Sequence, residues 1–512
     1  MLNKIIQKIK TPLSDGSSSP RNELLQELQN VGFNPKKLKQ ILDNGKFDIN
    51  QKDENSQTLL HVFAKQNNGE AIMWLIKNGA DVSLQNAKNQ TPLHIAVLSN
   101  AKFAVMALLN SGINIDIVNS NGKTIFQELI ALATPVVAEL LIVKSQNPNF
   151  VNADGQNVLF DAVINGSLEI ISMIAKNFKI EKNLFDNNGN TVLHLSQSIN
   201  NPQIGVKLIE NGANPTILNR SGKNYFYYVL SGGSQFFEIF KVSKNLGFDL
   251  NSKILGQNLI HHIVNLMDNI CEHDKQKCQD LAKLMISLIN ISVDVNAKNQ
   301  YGETPLIVAA KSSNLAAFGM LIKLSNISVA AVDDDGMSAL HYISMQKNSL
   351  SFVELLLAKG AKTEACLESK TPLHFAVSVD GDKNVVARFL QIKDMAFALD
   401  SKGRNILHTL AITNENLEYY EMIMKDFSSL AYAYDIYGIL PIEYAILKGR
   451  FELASKMARL NPKPTPRKNI KKSFVLVDLE IFDVDVIVGK ISVQNDLAFL
   501  ADSMREDFCD TI

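Results

Sequence analysis

Apolar residues return along most of this chain in short blocks with helical spacing, each led in by a polar turn. In "NQTPLHIAVLSNAKFAVMALLNSG", Ile95 and Ala96 face inward on a first short helix. Phe103, Val105, Met106, Leu108 and Leu109 then suit a second helix packed against it. Aligned on Thr91, the same block recurs twelve times, at Thr58, Thr91, Thr124, Asn157, Thr191, Asn224, Asn258, Thr304, Ser338, Thr371, Asn405 and Leu440. The intervals are 33, 33, 33, 34, 33, 34, 46, 34, 33, 34 and 35 residues. Self-similarity at a fixed period is the signature of a repeat array and is read before any chemistry.

Each recurring slot has a physical task. Five residues before the aligned position stands Asp or Asn in ten of twelve copies, from Asp53 and Asn86 to Asp400 and Asp435; such a side chain bonds forward to the backbone of its own turn. Two residues before it stands Gly in nine copies, Gly122 among them, and Asn89 in a tenth, as a left-handed backbone requires. Thr91 caps the first helix and Pro92 takes its first position, where a missing N–H costs nothing. Gly79, Gly112 and Gly212 end second helices.

A period near 33 with a T-P-L-H-x-A core, complete in "QTPLHIAV" and "KTPLHFAV", resembles the ankyrin-repeat family over about residues 51–460. The resemblance implies an all-α array of about twelve helix-turn-helix repeats with short β-turn fingers, whose concave side of turn tips and first helices holds another protein. It also bears on the histidines. His61, His94, His194, His261, His341, His374 and His408 all stand three residues after the aligned position, seven of the chain's nine. In proteins of this kind that imidazole ties neighbouring turns together. A catalytic histidine needs a positioned nucleophile or carboxylate, and an array has no reason to carry seven.

Outside the array, "TPLSDGSSSP" makes residues 1–20 a flexible segment, and residues 21–50 supply a helical cap with Leu24, Leu25, Leu28, Leu38, Ile41 and Leu42 on its buried side. The interval of 46 marks an insertion near 266–280, read as a lengthening of the two helices of repeat seven. Cys271, His273 and Cys278 there lack a second ligand pair, so no metal is expected. Residues 461–512 form a separate extension in which "SFVLVDLEIFDVDVIVGKISV" reads as a β-hairpin or a short docking module. The ending Cys509-Asp510-Thr511-Ile512 fits the prenylation frame loosely, against an exposed tail.

Composition narrows the function. Hydrophobic residues are 46%, charged residues 20% and the formal net charge is -1, so neither nucleic acid nor a membrane surface is the expected partner. Four scattered cysteines make no disulfide framework and point to a reducing, cytoplasmic compartment. No apolar run spans a membrane, and Lys4, Lys8 and Lys10 interrupt any Sec-type signal core. No nucleotide-loop, serine-hydrolase or metalloprotease pattern is present, and the terminal segments are small for a catalytic domain. The expectation is a monomeric, non-catalytic, cofactor-free scaffold for one or more proteins. The variable tips nominate Lys88, Arg220, Tyr301, Arg404 and Tyr437 as partner contacts, and the aromatic repeat six adds Tyr225. Asn and Lys usage resembles, in style, ankyrin effectors that intracellular bacteria inject into host cells; a eukaryotic cytosolic adaptor is the alternative. Asn50 and Asn296, in "LDNGKFDIN" and "LINISVDVN", resemble ankyrin asparagines that are hydroxylated in animal cells.

Overall fold

The computed structural model describes residues 33–36, 38–39 and 48–459, apart from 120, 178–179, 367 and 380. The segment 1–20, most of the cap at 21–50, the extension 461–512 and Cys509 lie outside the described residues. Two compact units divide the chain, Met1–Leu250 with repeats one to six and Asn251–Ile512 with repeats seven to twelve. Among the described residues the regular structure is helical, with isolated β-bridges at Val118–Thr124, Ile254–Gln257 and Val332–Ser338.

Repeat two shows how the sequence makes the element. The Asn86 N–H donates to Gln90 O at 2.9 Å, closing the turn, and Asn89 at its tip has φ 57°. Thr91 is extended and Pro92–Leu98 is helical, with Leu93, Ala96 and Val97 buried. The chain then reverses into Lys102–Asn110, which buries Ala104, Val105, Leu108 and Leu109. Phe103 and Met106, expected inside, are exposed at 63% and 39%: they fall on the far side of a nine-residue helix whose inward stripe is already filled. Ile95 is half-buried.

All twelve turn tips are left-handed, including Ser56 (φ 57°) and Ser369 (φ 58°), where no Gly or Asn announces it. The slot imposes its conformation even on residues that pay for it sterically. In ten copies the Asp or Asn Oδ1 accepts two backbone N–H bonds, from residues two and four further on, at 2.7–3.2 Å. Repeat seven has Lys253 in that slot. Its turn is closed by Ile254 and Gln257, and His262 Nε2 lies 2.9 Å from Ile254 O.

Repeat seven also has the longest helices of the described residues, Leu259–Ile270 and Lys275–Asn290. Cys271, which caps the first, and Cys278, in the first turn of the second, are joined as a disulfide with Cα atoms 4.9 Å apart. The four cysteines, expected to be too scattered for a disulfide framework, therefore include one bonded pair, because a short polar loop brings Cys271 and Cys278 within bonding range. Cys366 is free.

Candidate partner-binding surface

The tie between repeats starts at the cap. The backbone N–H of Thr58, Thr91, Thr191, Ser338, Thr371 and Asn405 donates to Nδ1 of the histidine three residues on, at 3.0–3.2 Å. That leaves Nε2 to carry the proton. Nε2 reaches a carbonyl of the following repeat's turn in His61 (Gln90 O, 2.9 Å), His194 (Lys223 O, 3.1 Å), His261 (Glu303 O, 3.0 Å), His374 (Arg404 O, 3.3 Å) and His408 (Ile439 O, 3.0 Å). His94 Nε2 instead faces the Glu128 carboxylate at 3.4 Å. In repeat three Gln127 makes both bonds, accepting from the Thr124 N–H and donating to Gln156 O, each at 3.1 Å. Burial pushes His261, His341 and His374 down to about 4, and lowers His61, His194 and His408 as well.

A second tie joins the turn to the first helix of the same repeat. Asn119 Nδ2 donates to Glu128 Oε2, Asn219 Nδ2 to Tyr228 Oη, and the Tyr342 and Tyr444 hydroxyls to Asp333 and Asp435, all at 2.7–2.9 Å. Repeat four departs from this. Asp161 is fully buried and turns to Lys123 Nζ at 2.8 Å, leaving its Oδ2 and Asn152 Nδ2 without partners. Its carboxyl is raised by burial, and the Lys123 bond only partly offsets that.

These ties fix which side chains are left to face a partner. Of the expected contacts, Lys88, Arg220 and Tyr301 are exposed at turn tips, Tyr301 at 57%. Tyr437 is half-buried. Two nominations are corrected. Tyr225 is 1% exposed, packed against Gly205 and hydrogen-bonded by the Ser196 hydroxyl at 3.3 Å, so it is core; burial lifts its hydroxyl to about 12. Arg404 is held by Asp400 through Nε at 2.8 Å and a terminal nitrogen at 2.7 Å, and is half-buried. The remaining aromatics of repeat six are buried or half-buried, so none is left fully open.

The slot that sequence reasoning missed lies six residues before the cap. In repeats three to six it holds Val118, Val151, Phe185 and Leu218, exposed at 46%, 44%, 47% and 49%. Four consecutive fingers thus present an apolar side chain where a turn is ordinarily polar. The tips of repeats four and five are joined, the Asn187 N–H donating to Asp154 O at 2.9 Å. The signal was in the sequence, at a variable slot rather than a repeated one. The Asn50 and Asn296 side chains each bridge to the next repeat, accepting from the Asp81 and Ser328 N–H groups at 2.7 and 2.8 Å.

Among the described residues no group of His, Cys, Asp and Glu is placed to hold a metal ion, and no helix is long and apolar enough to cross a membrane. Paired helices stacked through turn ties, with a face of variable side chains, define a repeat protein built for protein contact. A family model described as Ankyrin repeats (3 copies) matches residues 25–119, 129–219, 269–366 and 320–392, more than half of the chain, and the protein belongs to the ankyrin-repeat family. It is similar to the putative ankyrin repeat protein L371 of Acanthamoeba polyphaga mimivirus, 26% identical over 51% of this chain and 32% of that one. It is likewise similar to human Inversin, 28% identical over 32% of this chain and 15% of that one. The match thus spans a third or less of each relative. The human ASB11 ankyrin repeat domain superposes with a TM-score of 0.37 at 19% identity, over 44% of this chain and 97% of that domain.

Proposed function

We propose that the protein is a non-catalytic scaffold that holds a partner protein against the fingers of repeats three to six. Val118, Val151, Phe185 and Leu218 are the apolar anchors, and Arg220 lies beside the last of them. The observation that carries this reading is that row of four exposed apolar side chains in one slot of successive repeats, since exposed apolar side chains grouped on one surface mark interfaces. The histidine slot belongs to the scaffold: His61, His194, His261, His374 and His408 are spent on bonds to the next turn's carbonyls, and burial lowers each of them.

The test is site-specific photo-crosslinking from positions 151 and 185, with positions 301 and 437 as comparison, to find the partner and the face it occupies. The expected outcome is one protein captured from 151 and 185. Val151→Asp with Phe185→Asp should then weaken its binding about 100-fold, as losing central anchors does, with the helical circular dichroism unchanged. Binding altered less than twofold would remove the finger row from the interface and leave Tyr301 and Tyr437 as the alternative.

Action as an effector inside a host cell is supported by residue usage alone; translocation of a reporter fused to the last thirty residues would test it. Hydroxylation at Asn50 and Asn296 is tested by the mass of peptides from protein expressed in animal cells. The absence of an added oxygen would dismiss it.

A further inference from the structure

The lengthened hairpin of repeat seven ends in a disulfide that neither the repeat nor its binding face needs. Cys271 caps the helix Leu259–Ile270, and Cys278 lies in the first turns of Lys275–Asn290, seven residues away in sequence. Glu272 to Lys277, between them, are all exposed, while the two cysteines are half-buried. The packing that holds the two helices together lies below the bond, in Ile263, Val264, Met267, Leu281, Leu284 and Leu288, each 0% exposed. The extra residues carry both helix ends roughly 8–10 Å past the shorter helices of other repeats, at about 1.5 Å per residue. The bond is therefore reachable from solvent and can open without uncovering the core beneath it. Exposed disulfides are the ones that exchange with small thiols.

We infer that Cys271 and Cys278 form a redox modification site, a reversible clip that takes a small disulfide such as oxidised glutathione as its co-substrate and sets the order of the hairpin tip. In closing, the Cys278 thiolate attacks one sulfur of oxidised glutathione and releases one glutathione thiolate. The positive end of the helix and the neighbouring Lys275 and Lys277 favour the attacking anion. The Cys271 thiolate then attacks the Cys278 sulfur of the mixed disulfide, forming the internal bond and releasing the second glutathione. Two electrons pass from the cysteine pair to glutathione, and the two thiol protons end on the released thiolates. Reduction runs the same steps backwards. With the clip open, the start of the second helix is left to local bonds, Asp274 accepting from the Lys277 N–H at 2.9 Å and its own N–H donating to Ile270 O at 2.8 Å. The tip then frays.

The test uses the full chain carrying Cys366→Ser and Cys509→Ser, so that only this pair titrates. The chain is equilibrated in buffers running from excess oxidised to excess reduced glutathione. Thiol trapping with mass spectrometry reads the bond, and hydrogen exchange reads residues 268–280. The expected result is a bond that forms at one end of the range and opens at the other, with amide exchange at the tip at least tenfold faster when open. Adding Cys271→Ser and Cys278→Ser should give the fast exchange in every buffer. A pair that stays reduced throughout, a bond that resists excess reduced glutathione, or exchange indifferent to the bond would each overturn the proposal.

Discussion

In the second unit the slot three residues after the cap holds His261, His341, His374 and His408; in the first it holds His61, His94 and His194, with Gln127 among them. Where Gln127 or an imidazole other than His261 fills the slot, it is an acceptor toward its own cap and, where the side chain reaches it, a donor toward the next turn; His261 Nδ1 instead faces Asn258 Oδ1 at 2.7 Å. Imidazole meets that demand only while neutral, whereas the Gln127 amide meets it at any pH. Both units therefore tie repeats with groups that titrate, His61 and His194 in the first among them, but the first has Gln127 as a tie that does not. Three of its histidines are held down to about 4 by burial, and His408 is lowered by the same cause.

The largest effect that follows is acid lability that is greater in the second unit, where three histidines are pushed down to about 4, than in the first, where burial lowers His61 and His194 as well. A histidine lowered in the fold leaves the unfolded chain to bind the proton first, so stability is full above the ordinary value of 6.5 and drains as pH falls toward about 4. A displacement from 6.5 to about 4 is worth roughly 3 kcal/mol for each such group. Hydrogen exchange followed from pH 7 to 4 should show amides of Asn251–Arg459 losing protection before those of Gln51–Leu250. His374→Gln copies the arrangement of repeat three. It should leave stability at pH 7 within about 1 kcal/mol, the net value of a hydrogen bond, and shift the acid midpoint of the second unit downward. If the two units open together, or His374→Gln leaves that midpoint unmoved, the slot does not control acid unfolding.

How far this was legible in the sequence divides along the same slots. Period, turn tips and caps were readable because they recur: the Asp and Asn acceptors and the turn-tip glycines stand at fixed offsets, and one backbone geometry serves them all. Ser56 and Ser369 were not readable as left-handed, because serine states no such preference and the neighbouring repeats force it. Tyr225 and Arg404 were misplaced for a related reason. Each sits at an offset near the tip, but whether it turns inward depends on a partner in three dimensions: Gly205 and Ser196 for the first, Asp400 for the second. The finger row was hidden by the opposite error, since attention to repeated residues passes over a slot that reads Val, Val, Phe, Leu.

A smaller effect, of opposite sign, separates the units at the turn-to-helix tie. Tyr342 and Tyr444 complete it in the second unit, while Asp161 in the first is buried, raised, and left with one unpartnered oxygen. Because its folded value is raised, ionised Asp161 subtracts stability above that value, and the deficit disappears as pH falls and the carboxyl takes its proton. Asp161→Asn removes the buried charge and releases Lys123, which is already partly solvated. Urea unfolding of the full chain at pH 7 should show a gain of about 0.5–1 kcal/mol, the scale of one hydrogen-bond adjustment, shrinking at pH 4. A loss at pH 7 would show that the Lys123 pair outweighs the desolvation, and that repeat four is not a weak point.

The faintest contrast lies on the outer helices. In the second unit Glu354 pairs with Arg388 at 2.8 Å, Lys383 with Glu418 at 2.9 Å and Glu421 with Lys456, linking successive repeats. In the first, the outer helices expose Met73, Phe103, Met106, Val136 and Val143, against Ile286 and Leu355 on those of the second. Pairs this open to solvent gain little Coulomb energy and cost side-chain entropy. Arg388→Ala should therefore destabilise the second unit by less than about 0.5 kcal/mol, and by nothing measurable at about 1 M salt, where screening acts within roughly 3 Å. Its main consequence is one of balance: the outer helices of the second unit present more ion pairs and fewer open apolar side chains than those of the first. Were Arg388→Ala to cost more than about 1.5 kcal/mol in urea unfolding, the pairs would be holding the repeats together. The ion pairs on the outer helices of the second unit would then be explained by stability.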